Sequence, residues 1–128
     1  MMLDTTFLID LHREFAKGES GPGRNFLRHR AATRFSISAI VAVEFLEGFE
    51  MVTVGERFLR AYPLIPVGVE EAREAARLRR HLRAEGRMIG DFDLLIGATA
   101  IVAGLPLVTS NTEHFKRLPD LEVISHRA

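Results

Sequence analysis

Apolar positions along this chain switch between helical and strand-like spacing. Residues 2–4 open as a short apolar strand that ends on Asp4, and Phe7, Leu8, Leu11 and Phe15 then recur as one face of a helix that Thr5 or Thr6 can cap. A loop rich in glycine covers 18–23. Residues 25–32 read as a short basic helix and 33–37 as a second strand. Ser38 is placed to cap a helix over 39–49. A further short helix spans 54–62. Leu64–Ile65, between Pro63 and Pro66, reads as a brief third strand. The 69–84 segment is amphipathic, with Ala72, Ala75, Ala76 and Leu82 expected inward and Arg and Glu outward, and Gly86 closing it. The stretch from Asp91 to Ala103 is different. Leu94 to Ala103 carries no charge, so this helix is expected to be buried on more than one side. Gly104 ends it, residues 105–108 form a fourth strand, Thr112–Phe115 one helical turn, and 121–124 a last strand. Strands alternating with helices predict a parallel sheet with helices on its faces.

Composition narrows the field. The chain has 128 residues and 47% hydrophobic content, which suits one domain over 1–128. No apolar run reaches the length of a membrane span, so no membrane partner is expected. An acid stands at position 4 where an export signal would be basic. There is no cysteine, which excludes disulfides and zinc–thiolate sites. A cytoplasmic location is expected. The 17 basic and 17 acidic residues cancel, yet arginine gathers at Arg24, Arg28, Arg30 and Arg34, and again from Arg73 to Arg87. Such groups are either solvated helix faces or grips for phosphate.

Three carboxylates fall where apolar side chains are expected. Asp4 follows an apolar strand, Glu44 lies one helical turn from Ile40 and Gly48, and Asp93 sits in the first turn of the apolar helix. In a parallel sheet, strand ends and the helix starts that follow them share one rim. Asp4, Asp93 and Asn111 would meet there, with Glu44 reaching the same place. Clustered carboxylates repel, and a divalent cation removes that cost. Oxygen-only ligands select a hard ion, Mg²⁺ or Mn²⁺. Asp10 lies two helical turns from the rim and Glu47 about 60° around the helix from Glu44, so both are weaker candidates. The glycine loop lacks a preceding strand and a following Lys-Ser/Thr, so it is no P-loop. The five histidines are scattered, with no helical metal spacing. A receiver domain would need a strand-end lysine where Lys116 is misplaced. A phosphatase with an Asp nucleophile would want an acid at position 6, where Thr6 stands.

Four segments together resemble the PIN-domain nucleases, and more closely the VapC-type toxins of toxin–antitoxin pairs. They are Leu3-Asp4-Thr5-Thr6-Phe7-Leu8-Ile9-Asp10-Leu11, Ile37-Ser38-Ala39-Ile40-Val41-Ala42-Val43-Glu44-Phe45-Leu46-Glu47-Gly48, Ile89-Gly90-Asp91-Phe92-Asp93-Leu94-Leu95-Ile96-Gly97-Ala98 and Leu107-Val108-Thr109-Ser110-Asn111-Thr112-Glu113-His114-Phe115. The resemblance implies a three-layer α/β/α PIN-like fold with a short parallel sheet of four to five strands. It implies a Mg²⁺- or Mn²⁺-dependent endoribonuclease, a homodimer, and a cognate antitoxin that blocks the acidic pocket. The family's acidic positions fall on Asp4, Glu44 and Asp93 as metal ligands and catalytic groups, with Asn111 at the fourth. Thr6 and Thr109 would position water or the scissile phosphate. Asp91 could supply the charge that Asn111 lacks, although an N-cap role suits it better. The family usually starts Asp-Thr-Asn; this chain has Thr6. The competing expectation is a PIN-like binding module that no longer holds metal. Phe45, Phe49, Met51 and Phe58 are either interface or core.

Overall fold

The computed structural model describes residues 1–127. Five strands and seven helices alternate along them. They are β1 (Met2–Leu3), α1 (Thr5–Lys17), α2 (Pro22–Arg28), β2 (Ile37–Ser38), α3 (Ala39–Leu46), α4 (Val52–Leu59), β3 (Leu64–Ile65), α5 (Val69–Glu85), α6 (Asp91–Ala103), β4 (Leu107–Thr109), α7 (Thr112–Phe115) and β5 (Val123–Ser125). All strand pairings are parallel. β1 pairs with β4 and β4 with β5, while β2 pairs with β3. A bridge between Met2 and Ser36 joins the two groups, so the strands run 3-2-1-4-5 across the molecule. The chain leaves β1 toward one side and returns through β4 on the other. That reversal opens a crevice at the carboxyl ends of β1 and β4.

The strands are shorter than the apolar pattern suggested. The second ladder holds only Ile37–Ser38, because Thr33 to Phe35 lie outside it and Ser36 makes only the bridge to Met2. Met2, Leu3, Leu107 and Val108 are fully buried, so the sheet centre is covered on both faces. α1 packs on β4 and pairs with α2, α5 pairs with α6, and α3 touches both α1 and α6. Helices therefore flank a small parallel sheet.

α6 meets its expectation. Leu94, Ile96, Gly97, Ala98, Thr99 and Ala100 are all buried. The one hydroxyl among them, Thr99, donates to the carbonyl of Leu95 at 2.7 Å and so brings no unpaired polar group inside. The helix closes at Gly104 and α5 at Gly86, both in the left-handed region with φ of 68° and 67°. Phe7, Leu8 and Leu11 of α1 are fully enclosed, each contributing roughly 1.5–3 kcal/mol by burial.

Several expectations are corrected. α5 buries Ala75, Leu78 and Leu82, whereas Ala72 and Ala76 face outward. Leu78 is the large side chain on the i, i+3, i+7 face, and it sets the helix rotation. Phe15 is 52% exposed, covered from one side by the Arg24 guanidinium 4.3 Å from its ring centroid. Phe45 is buried, and Phe49 and Phe58 pack with it around the ring of His12. Phe45 is core, Phe49 and Phe58 are partly buried against it, and Met51 alone of the four interface candidates is strongly exposed. The glycine loop has its own physical reason. Glu14 is buried and accepts the amides of Gly23 and Arg24, both at 2.9 Å. A Cβ on Gly21 or Gly23 would run into that carboxylate.

Gly97 marks the tightest approach of α6 to the chain, since a Cβ there would overlap Leu118 Cδ1. Gly97→Val is expected to lower stability by about 1–3 kcal/mol through overpacking. Thermal denaturation of Gly97→Val, Leu118→Ala and the double variant checks it. The double variant should lose less than the sum of the singles.

Candidate active site

Asp4 occupies the crevice. It follows β1 directly, its amide donates to the carbonyl of Val108 at 2.9 Å, and its side chain is 2% exposed. It serves as the N-cap residue of α1 but makes no side-chain cap bond. Its carboxylate faces two hydroxyls instead. Thr109, at the end of β4, donates to Asp4 Oδ2 at 2.6 Å, and Thr6 donates to the same oxygen at 3.0 Å. The two hydroxyls lie 3.1 Å apart. Each has a single proton. Thr109 commits its own to Asp4, so the Thr6 proton is shared between Asp4 and Thr109. Their lone pairs accept the amides of Ser110 (by Thr6, 3.0 Å) and Asn111 (by Thr109, 2.9 Å). The loop after β4 is thereby tied to the end of β1.

Glu44 comes from α3. Ser38 caps this helix by accepting the Val41 amide at 3.1 Å. Thr5 donates to Glu44 Oε1 at 2.7 Å. Adjacent threonines in the first turn of α1 thus serve two different acids. Asp93 enters from the first turn of α6, where a carboxylate is favoured by the helix dipole. Its Oδ2 lies 3.2 Å from His114 Nδ1, and the same nitrogen lies 2.9 Å from the side-chain amide of Asn111. The Asn111 atom is Nδ2, so an unprotonated Nδ1 accepts from Asn111, and a protonated Nδ1 donates to Asp93.

Electrostatics ties the acids together. Burial pushes the Asp4 carboxyl above its ordinary value. The bonds from Thr109, the Thr5 backbone and Thr6 pull it back, and the charge of Asp93 raises it further. Burial also raises Glu44, opposed by the Thr5 hydroxyl and reinforced by the charges of Asp4, Asp93 and Glu47. Asp4, Glu44 and Asp93 therefore share one field, although they are far apart in sequence.

The structure brings together Asp4, Thr6, Thr109, Asn111 and Asp93 in one hydrogen-bonded chain, with Glu44 beside them. Asp91 stays apart. Gly90 is the N-cap of α6, and Asp91 is exposed and paired with Arg79 of α5. It is neither cap nor a member of the acidic group. Two members escaped the sequence reading. His114 looked like one of five scattered histidines, but α7 carries it to Asp93. Thr5 was read only as a possible cap. The signal available for both was position: a hydroxyl beside Asp4, and a histidine one turn past Asn111.

Among the described residues, no three His, Asp or Glu side chains stand close enough to form an all-protein metal cage. Mg²⁺ takes only one or two carboxylates and keeps several waters. A carboxylate raised by burial and, to a smaller extent, by the charge of Asp93, in an all-oxygen donor set, suits such a partly hydrated hard ion.

Residues 1–121 match the family model described as PIN domain. This chain belongs to the PIN-domain family. A protein of Rickettsia bellii (strain RML369-C) named Ribonuclease VapC is 39% identical over 135 residues, covering 98% of this PIN domain and 95% of that protein. Among solved structures, VapBC2 from Rickettsia felis, bound to a DNA fragment from its promoter, superposes with a TM-score of 0.81 at 28% identity. The alignment covers 97% of this chain and 96% of that one. DNA-bound VapBC from Salmonella typhimurium reaches 0.85 at 24% identity, covering 98% and 96%, which speaks for the fold alone. The parallel sheet with flanking helices is the PIN fold.

The raised acids give a signed pH effect. Asp4 and Glu44 hold protons more tightly folded than unfolded, where 3.8 and 4.5 are ordinary. Their contribution to stability is full below those values and is lost as pH rises through the folded ones. At pH 7.5 and with chelator, Asp4→Asn is expected to melt about 2–5 °C above the parent, the asparagine oxygen still accepting from Thr6 and Thr109. Below pH 4 the difference should vanish. Thermal melts across pH check it.

Proposed function

We propose that this chain is a VapC-type toxin. It acts as a Mg²⁺- or Mn²⁺-dependent endoribonuclease that hydrolyses RNA phosphodiester bonds and is held in check by a cognate antitoxin. The observation that carries the reading is Asp4, a carboxylate with its charge taken out of water at the switch point of the sheet and with Asp93 and Glu44 in its field. Such a site is unfavourable alone and becomes favourable with a hard cation. The likeness to ribonucleases over nearly the whole chain supports RNA as substrate. The likeness to VapBC assemblies supports an antitoxin partner. A homodimer and a cytoplasmic location belong to the same proposal. Among the described residues no helix is long and apolar enough to cross a membrane.

Asp4 and Asp93 would hold the ion, directly or through water, and Glu44 would bind it or orient the attacking water. When bound, Mg²⁺ or Mn²⁺ makes water easier to deprotonate and neutralises charge on the scissile phosphate. The remaining work falls to the chain's own groups. Thr109 and Thr6 fix Asp4 through Oδ2. Thr5 occupies Glu44 Oε1, which leaves Oε2 to take a proton from the attacking water. Burial and the neighbouring acids raise the affinity of Glu44 for a proton, the direction that strengthens it as a base. His114 and Asn111 hold Asp93 from the α7 side.

Asp93→Asn and Asp4→Asn should each cut RNA at least about 100-fold more slowly than the parent while melting cooperatively, the scale seen when a preorganised charge is removed from such a site. Cleavage by folded Asp93→Asn at near the parent rate would falsify the assignment. Calorimetric titration with Mn²⁺ separates the enzyme from a metal-free binding module. The enzyme requires heat of binding that is lost in Asp4→Asn, and the module gives none in either.

A further inference from the structure

A second constellation lies on the same rim, at the end of β5. Ser125 pairs in register with Thr109, the residue that holds Asp4. Neighbouring strands lie about 4.8 Å apart, so the end of β5 stands roughly 10 Å along the rim from Asp4. There the chain closes over an open cavity of about 430 Å³ lined in part by Asn25, His29, Arg30, Ser125, His126 and Arg127. That volume lies in the range of small-ligand pockets.

The basic groups around it are held in place before any ligand arrives. Arg127 makes a two-pronged pair with Asp10, Nε to Oδ2 at 2.7 Å and one terminal nitrogen to Oδ1 at 2.8 Å. Arg127 thereby holds the Asp10 carboxyl below its usual range. His126 Nε2 reaches Asp10 Oδ2 at 2.8 Å from a fully enclosed side chain. Arg30 lies over the ring of Phe26, 3.9 Å from its centroid. Phe26 packs edge-on against Phe7, and Phe7 against the ring of His126. Asp10 thus faces one guanidinium, that of Arg127, together with the His126 ring, and among the described residues no ion pair engages Arg30. Asp10 is already saturated by Arg127 and His126. The buried Nδ1 of His126 has no hydrogen-bond partner among the described residues.

We infer that this cavity is a backbone-phosphate subsite for single-stranded RNA, in which Arg30 and Arg127 hold a phosphate flanking the one cut at Asp4. It rests on the ribonuclease reading and adds a direction to it: the bound strand runs along the rim from the β1–β4 crevice toward β5. Arginine suits the task because its planar fork grips phosphate oxygens. The stacking of Arg30 on Phe26 lowers the ordering cost of that grip. Asn25 on α2 and His29 at its C-cap add polar groups beside it. Asp10 acts as a positioning residue, through Arg127 and His126.

The test is equilibrium binding of a short fluorescein-labelled single-stranded RNA to the full-length Asp93→Asn chain, followed by anisotropy from about 50 to 200 mM salt. Arg30→Gln placed on this background should weaken binding about tenfold and flatten the log–log salt slope by about 0.7, the signature of one lost phosphate contact on a single strand. Arg30→Lys keeps the charge, so it should keep the slope and lose only part of the affinity. Arg127→Gln should act like Arg30→Gln, and its melting temperature reports whether the Asp10 pairing alone is lost. If the parent binds RNA and both glutamine variants keep its slope and affinity, the subsite is wrong while the ribonuclease reading stands. If no version binds RNA, both fall.

Discussion

The carboxylate of Asp4 is removed from water and handed to two threonine hydroxyls, one from α1 and one from β4. Much of the candidate active site is built on that contact. A buried ionised group is costly unless it is hydrogen-bonded. Thr6 and Thr109 meet the need on one oxygen, and the amides of Ser110 and Asn111 in turn anchor the hydroxyls. The ends of β1 and β4 are locked at a fixed spacing as a result. These are the two strands between which the chain reverses its winding. The crevice left by that reversal is therefore lined by groups whose positions are set by backbone hydrogen bonds.

The second constraint is repulsion. Asp93 arrives on the helix whose apolar body is the most deeply buried in the chain, and Glu44 on a helix capped by a buried serine. Their positions are dictated by core packing, and so their mutual repulsion cannot relax by drifting apart. Burial first, and this repulsion after it, make Asp4 and Glu44 hold protons more strongly than free carboxyls do. Local rules of stability are broken where function is placed, and the surrounding core makes up the difference.

Much of this was legible in the sequence, for identifiable reasons. An uncharged run from Leu94 to Ala103 has one folded solution, and glycines at 86 and 104 mark helix ends by their left-handed backbone. Acids at the ends of apolar segments pointed to a shared rim. What stayed hidden depended on tertiary placement. His114 reaches Asp93 from 21 residues away, and His126 reaches Asp10 from 116 away. No spacing rule links such pairs. Helix direction separated Asp91 from Asp93 in the sequence but not their partners, Arg79 for one and His114 for the other. The extent of the strands was overestimated because β-propensity at Arg34 and Phe35 does not ensure a partner strand. The facing of α5 was misjudged because its small alanines were counted as the inward face and Leu78 was left out.

The most direct measurement is the protonation of the acids themselves. Carboxyl carbon chemical shifts of Asp4 and Glu44 can be followed through a pH titration by NMR, first with chelator and then with Mg²⁺. The account predicts that both titrate above ordinary carboxyls without the ion, and that Mg²⁺ drives the Asp4 midpoint down. Ordinary midpoints that ignore Mg²⁺ would contradict it.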